Sequence, residues 1–83
     1  MLLDLHRLRS TSWPDGGLWY TDGVTIDTVI SMWDRIQSRF CSRWNVIGAD
    51  LLNEPYGARW TEWTQAAAKI GASVLSGCSR WVI

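Results

Sequence analysis

Eighty-three residues with eight basic and eight acidic side chains carry no net charge at neutral pH, so nothing draws the chain to a phosphate backbone or an anionic lipid surface, and neither nucleic acid nor membrane is an expected partner. No apolar stretch is long enough to cross a bilayer, and a single histidine with two widely spaced cysteines does not make a zinc set, so no metal or organic cofactor is expected. This length allows one small domain with a thin core, and seven tryptophans within it call for either a large aromatic core or a surface that stacks on flat rings such as sugars.

In chain order, Leu2-Leu3-Asp4-Leu5-His6 reads as a strand over 1–6. Met1 runs directly into it without the pattern of a signal peptide, as an internal piece of a longer polypeptide would. The connection from Arg7 to Val24 is long and carries Trp13, Pro14, Gly16, Gly17, Trp19, Tyr20 and Gly23; loops of that length are functional more often than idle. Behind Thr25, a candidate cap, Ile26, Val29, Ile30, Trp33, Ile36 and Phe40 recur at helical spacing and predict a helix over 25–42. The apolar run from Val46 to Leu52 predicts a strand over 45–53, followed by a loop over 54–60. Trp63, Ala66, Ala67, Ile70 and Val74 predict a second helix over 61–76, with Thr61 in front and Gly77 behind, and a further strand opens at 81–83.

Strands alternating with helices indicate an α/β fold with parallel crossovers. An internal echo supports this: Cys41-Ser42-Arg43-Trp44 leads into Val46-Ile47, and thirty-seven residues later Cys78-Ser79-Arg80-Trp81 leads into Val82-Ile83. The two cysteines permit one disulfide or two buried thiols.

A parallel sheet gathers the C-terminal ends of its strands at one mouth, where such architectures place their sites. Asn53-Glu54-Pro55 stands there. A carboxylate at the end of a buried strand, beside an amide and before a proline that blocks further pairing, suits acid–base chemistry on a sugar. Alternation puts Asp4 and His6 on one face, and likewise Asp50, Leu52 and Glu54. Inward-facing Asp4 and Asp50 need partners, for which Arg7 is a candidate, and act as supports rather than catalysts. Glu62 falls in the first turn of the second helix, where a carboxylate complements the helix dipole. Trp33 and Trp63 lie on helical stripes, and Trp44 and Trp81 precede strands at the end opposite Glu54; all four are expected to pack. Trp13, Trp19, Tyr20 and Trp60 lie in loops at the mouth, where they either stack on sugar or anchor the loop, with Trp19 and Tyr20 the better stacking candidates.

Leu3-Asp4-Leu5-His6-Arg7, the loop Trp13-Pro14-Asp15-Gly16-Gly17-Leu18-Trp19-Tyr20, Phe40-Cys41 ahead of the run from Trp44 to Pro55, and Cys78-Ser79-Arg80-Trp81-Val82-Ile83 together resemble endoglucanases of glycoside hydrolase family five, the cellulase family A, over essentially the whole chain. The resemblance implies that residues 1–83 are one piece of a single catalytic domain, a partial (β/α)8 TIM barrel comprising the third strand, third helix, fourth strand, fourth helix and opening of the fifth strand. Such barrels typically need about 250 residues, of which about a third is here. It implies a retaining endo-β-1,4-glucanase acting on a β-linked polysaccharide such as cellulose. A β-mannanase or other β-glucanase of the same family is the alternative within that class, and a non-catalytic carbohydrate-binding module is the alternative outside it. By the same resemblance Glu54 is the acid/base, Asn53 hydrogen-bonds the sugar 2-hydroxyl, and His6 lines the site near the cleaved bond. The family nucleophile is a glutamate on a seventh strand with no counterpart in this chain, so the chain alone is expected to be inactive. The resemblance further implies an exported parent with no obligate protein partner, and a Cys41–Cys78 disulfide joining the ends of neighbouring helices.

Overall fold

The computed structural model, which describes residues 1–9, 18–21 and 23–83, runs strand, helix, strand, helix: β1 (Leu2–Asp4), α1 (Ile26–Phe40), β2 (Gly48–Asp50) and α2 (Trp60–Gly77). β1 and β2 pair in parallel, Leu2 opposite Gly48, Leu3 opposite Ala49 and Asp4 opposite Asp50. Val82 bridges Gly48 in parallel on the other side, so β2 lies between β1 and the start of a third strand. The parallel arrangement expected from the alternation of elements is present. The strands are shorter than the apolar runs, because burial extends beyond regular pairing; ladder-like bonds continue from Leu5 N–H to Asp50 O at 3.1 Å and from Ile47 N–H to Met1 O at 2.9 Å.

Each helix starts where side chains occupy its free backbone donors. Thr25 is extended and caps α1: its hydroxyl accepts from Thr28 N–H, and the Thr28 hydroxyl accepts from Thr25 N–H. Val29, Trp33 and Gln37 form the buried stripe, with Ile26, Ile30, Ile36 and Phe40 packed beside it. α2 begins one residue earlier than expected, so Thr61 lies inside the helix rather than in front of it. Arg59 is the cap residue, and its N–H is taken by the Glu62 carboxylate at 3.3 Å. Ala66, Ile70, Gly71 and Val74 are its buried face.

Both helices cover the same side of the sheet, against Ala49, Leu51 and Trp81. Trp33 is fully buried, and its indole N–H donates to Leu51 O at 3.0 Å, so the largest core side chain also ties α1 to the segment after β2. Gly48 sits where strands crowd: a Cβ there would come within 2.8 Å of Leu2 Cδ2 and would also collide with the carbonyl of Val82.

Far from the strand ends that carry Glu54, a covalent and a polar clamp join the two units. Cys41 and Cys78 form the expected disulfide, with their Cα atoms 5.7 Å apart. Arg80 Nη1 donates to the carbonyls of Cys41, Arg43 and Val46 at 2.6, 3.3 and 3.0 Å. The sequence echo, however, is out of step with the structure. Trp81 N–H bonds Cys78 O, whereas the matching turn before β2 is closed by Val46 N–H on Arg43 O, two residues later than the echo aligns it. Val46 is therefore the buried counterpart of Trp81, and Trp44 projects outward. Trp81 is 3 % exposed and Trp44 is 86 % exposed, which corrects the expectation that both pack.

Candidate active site

Parallel pairing in this register brings the C-terminal ends of β1 and β2 to one edge, with His6 following the first and Asn53-Glu54 following the second. The ladder does not end cleanly. Leu5 donates to Asp50 O, but its carbonyl accepts from Asn53 N–H at 3.1 Å, where an unbroken parallel ladder would present Leu52. One additional residue is accommodated opposite Leu5, as at a β-bulge. Strict alternation fails as a result: Asp50 is exposed, Leu51 and Leu52 are both buried, Asn53 is half-buried and Glu54 is exposed. Leu52 thus does not share the exposed environment of Asp50 and Glu54 that a period of two predicts.

Glu54 has φ +40°, the only left-handed non-glycine among the described residues. Such a conformation is uncommon for a side chain with a Cβ, more so before a proline, and costs about 1–3 kcal/mol. It is held from both sides, by Asn53 N–H on Leu5 O in front and by Tyr56 N–H on Glu54 O at 2.6 Å behind. Pro55 leaves the next position without a donor and ends the ladder.

His6 Nδ1 lies 2.7 Å from Asp4 Oδ2, with both side chains substantially exposed. Alternation correctly places these two on one face, and the partner of Asp4 is His6 rather than Arg7. The contact with Asp4 holds the His6 ring in one orientation at the strand end. Asp50, its register partner, forms no ion pair among the described residues.

The aromatic residues divide differently. Trp19 is buried, its ring 5.4 Å from Trp63 and edge-on to Tyr20 at 5.1 Å, so it anchors the loop. Tyr20 remains half-exposed. Both rings line an open cleft between the N-terminal halves of α1 and α2, of which Glu54 is not part. Trp60 opens α2 and is largely exposed, as is Tyr56, two residues beyond Glu54. Trp13 lies outside the described residues. Glu62 serves its helix: hydrogen bonding from the Arg59 side chain, then from its backbone, holds the carboxyl below the usual range, and Glu62 in turn raises the Arg59 guanidinium.

Residues 1–83 match the family model described as Cellulase (glycosyl hydrolase family 5). The chain is 38% identical to an endoglucanase of Paenibacillus polymyxa over 90 aligned positions, covering 100% of this chain and 22% of that protein. It superposes on a hyperthermostable endocellulase, solved to examine how a disulfide bond contributes to thermostability, with a TM-score of 0.81 and 35% identity over 99% of this chain and 26% of that one. A complex of an endocellulase from Pyrococcus horikoshii with cellotetraose gives a TM-score of 0.72 and 31% identity, over 99% of this chain and 26% of that one. The chain therefore spans about a quarter of the length of the relatives it matches.

Proposed function

The chain belongs to glycosyl hydrolase family 5, the cellulase family, and on that premise we propose that it is the acid/base-bearing part of a retaining endo-β-1,4-glucanase with a (β/α)8 barrel. β1, α1, β2, α2 and Val82 take the places of the third strand, third helix, fourth strand, fourth helix and opening of the fifth strand. The observation that carries the reading is Glu54: an exposed carboxylate in a strained backbone conformation at the C-terminal end of the middle strand, beside Asn53 and at the same sheet edge as His6. Backbone strain of this kind concentrates where a side chain must be aimed.

In this role Glu54 protonates the glycosidic oxygen as the bond to the leaving sugar breaks, and then takes a proton from the water that releases the covalently held sugar. Asn53 hydrogen-bonds the sugar 2-hydroxyl, and His6, oriented by Asp4, lines the site beside the cleaved bond. The attacking carboxylate has to stand about 5–5.5 Å from the acid/base across that bond, and in this family it is supplied by a later strand. The substrate is a β-1,4-linked glucan, and the working enzyme is exported.

The test is twofold. The 83-residue chain alone should release no reducing sugar from carboxymethylcellulose. A longer polypeptide that carries it with the remaining strands should do so, and Glu54→Gln in that polypeptide should lower kcat by about 10²–10⁴. Full activity of the Glu54→Gln enzyme would rule the assignment out.

A further inference from the structure

The cleft that holds Trp19 and Tyr20 is not the place where Glu54 stands, and its chemistry is that of a second sugar site. It encloses about 390 Å³, within the range of about 300–1,000 Å³ typical of small-ligand pockets. Trp19 and Ile26 supply apolar wall, Tyr20 presents a half-exposed ring, and Glu62, Gln65 and Lys69 line the other side. The last three fall at i, i+3 and i+7 along α2, one stripe of the helix aimed at one groove. The charges in that stripe are already answered: Arg59 neutralises Glu62 at 2.6 Å, and Asp27 at the start of α1 lies 4.0 Å from Lys69. What remains is an aromatic face beside donors and acceptors in a nearly neutral field. That combination selects a neutral, polyhydroxylated ring over an anion or a cation.

We infer that this cleft is an accessory binding site for a neutral β-linked oligosaccharide, outside the catalytic mouth, with Tyr20 as stacking platform and Gln65 and Lys69 as hydrogen-bonding groups. The inference rests on the carbohydrate reading of the family but not on Glu54 as acid/base. Such a site would hold a polysaccharide strand against the helical layer while another stretch of it is cut, raising the local concentration of substrate.

NMR titration with cellotetraose tests it, in the longer polypeptide that carries this chain with the remaining strands and with Glu54→Gln to stop cleavage. Saturable shifts are expected at Tyr20, Gln65 and Lys69, with Kd on the order of 1 mM. On that background Tyr20→Ala and Gln65→Ala, both at exposed positions, should each weaken binding at the cleft roughly tenfold or more while leaving any shifts at His6 and Asn53 unchanged. An anionic oligogalacturonide should not compete. Absence of saturable shifts, unaltered binding by both cleft variants, or shifts confined to His6 and Asn53 would overturn the proposal. Loss of hydrolysis in the longer Glu54→Gln polypeptide bears only on the catalytic reading, so the two can fail separately.

Discussion

Replacing Cys41 and Cys78 together by alanine should remove a large part of this chain's stability. The bridge closes a loop with a sequence separation of 37, and the loop-entropy relation gives about 3.8 kcal/mol at 25 °C for a loop of that size. A chain of this length has a total stability of about 4–12 kcal/mol at 0.05–0.15 kcal/mol per residue, so the loss is a third of the total or more. Unfolding entropy of about 2.1 cal/mol/K per residue converts it to a fall in Tm of about 22 °C. Alanine leaves the Cys41 carbonyl for Arg80, which confines the change largely to the cross-link. Cys78 is 2 % exposed, so truncation there adds a small packing loss. Reduction of the unsubstituted chain, which keeps both sulfur atoms in place, separates the two contributions. Melting followed by circular dichroism, in oxidised, reduced and doubly substituted forms, gives the comparison. A fall of less than about 5 °C on reduction would show that the unfolded chain gains little freedom from losing the bridge, and would refute the reasoning.

Arg80→Ala removes a donor from three carbonyls and should lower stability by about 1–3 kcal/mol, seen in urea melts as a lower midpoint at constant m. Gly48→Ala puts a methyl group between Leu2 and Val82; an overpacking cost of about 1–3 kcal/mol is expected, together with faster hydrogen exchange at the Ala49 amide that bonds Val82 O. Hydrogen bonding from Arg59 depresses the Glu62 carboxyl in the folded chain, so the stability this contact adds is present above the unfolded carboxylate pKa and is lost as pH falls through the lowered folded value. Glu62→Gln should flatten that acid limb, measured as stability against pH, and salt should shrink the difference because the pair is exposed. An unchanged acid limb in Glu62→Gln would count against the contact.

Periodicity carried most of the architecture. The stripe through Val29 and Trp33 and the stripe through Ala66, Ile70 and Val74 are helices whose apolar faces meet one sheet, because in both cases burial and helical spacing agree. Thr25 as a cap was legible for the same local reason. The start of α2 was not, since Arg59 and Glu62 cap it through a salt-bridged side chain that competes with the more familiar threonine signal at Thr61. Trp44 and Trp81 look identical in the repeated four-residue string, but turn closure by Arg43 and Val46, a tertiary matter, decides which one is buried. Asn53-Glu54-Pro55 and the shared face of Asp4 and His6 were readable from strand ends and alternation; the hydrogen bond between those two was not, since Arg7 was the expected partner of Asp4. The left-handed backbone of Glu54 and the slip at Leu51–Leu52 were not, because neither residue type signals them.

That slip makes the direction of the carboxylate a matter of counting. Leu51 and Leu52 are buried and should accept other apolar side chains of similar volume, but removing either one would restore an even ladder and take out the local kink and extra twist that lead into Asn53 and Glu54. Chains built on this plan should therefore vary more freely in what occupies positions 51 and 52 than in how many residues separate Asp50 from Asn53.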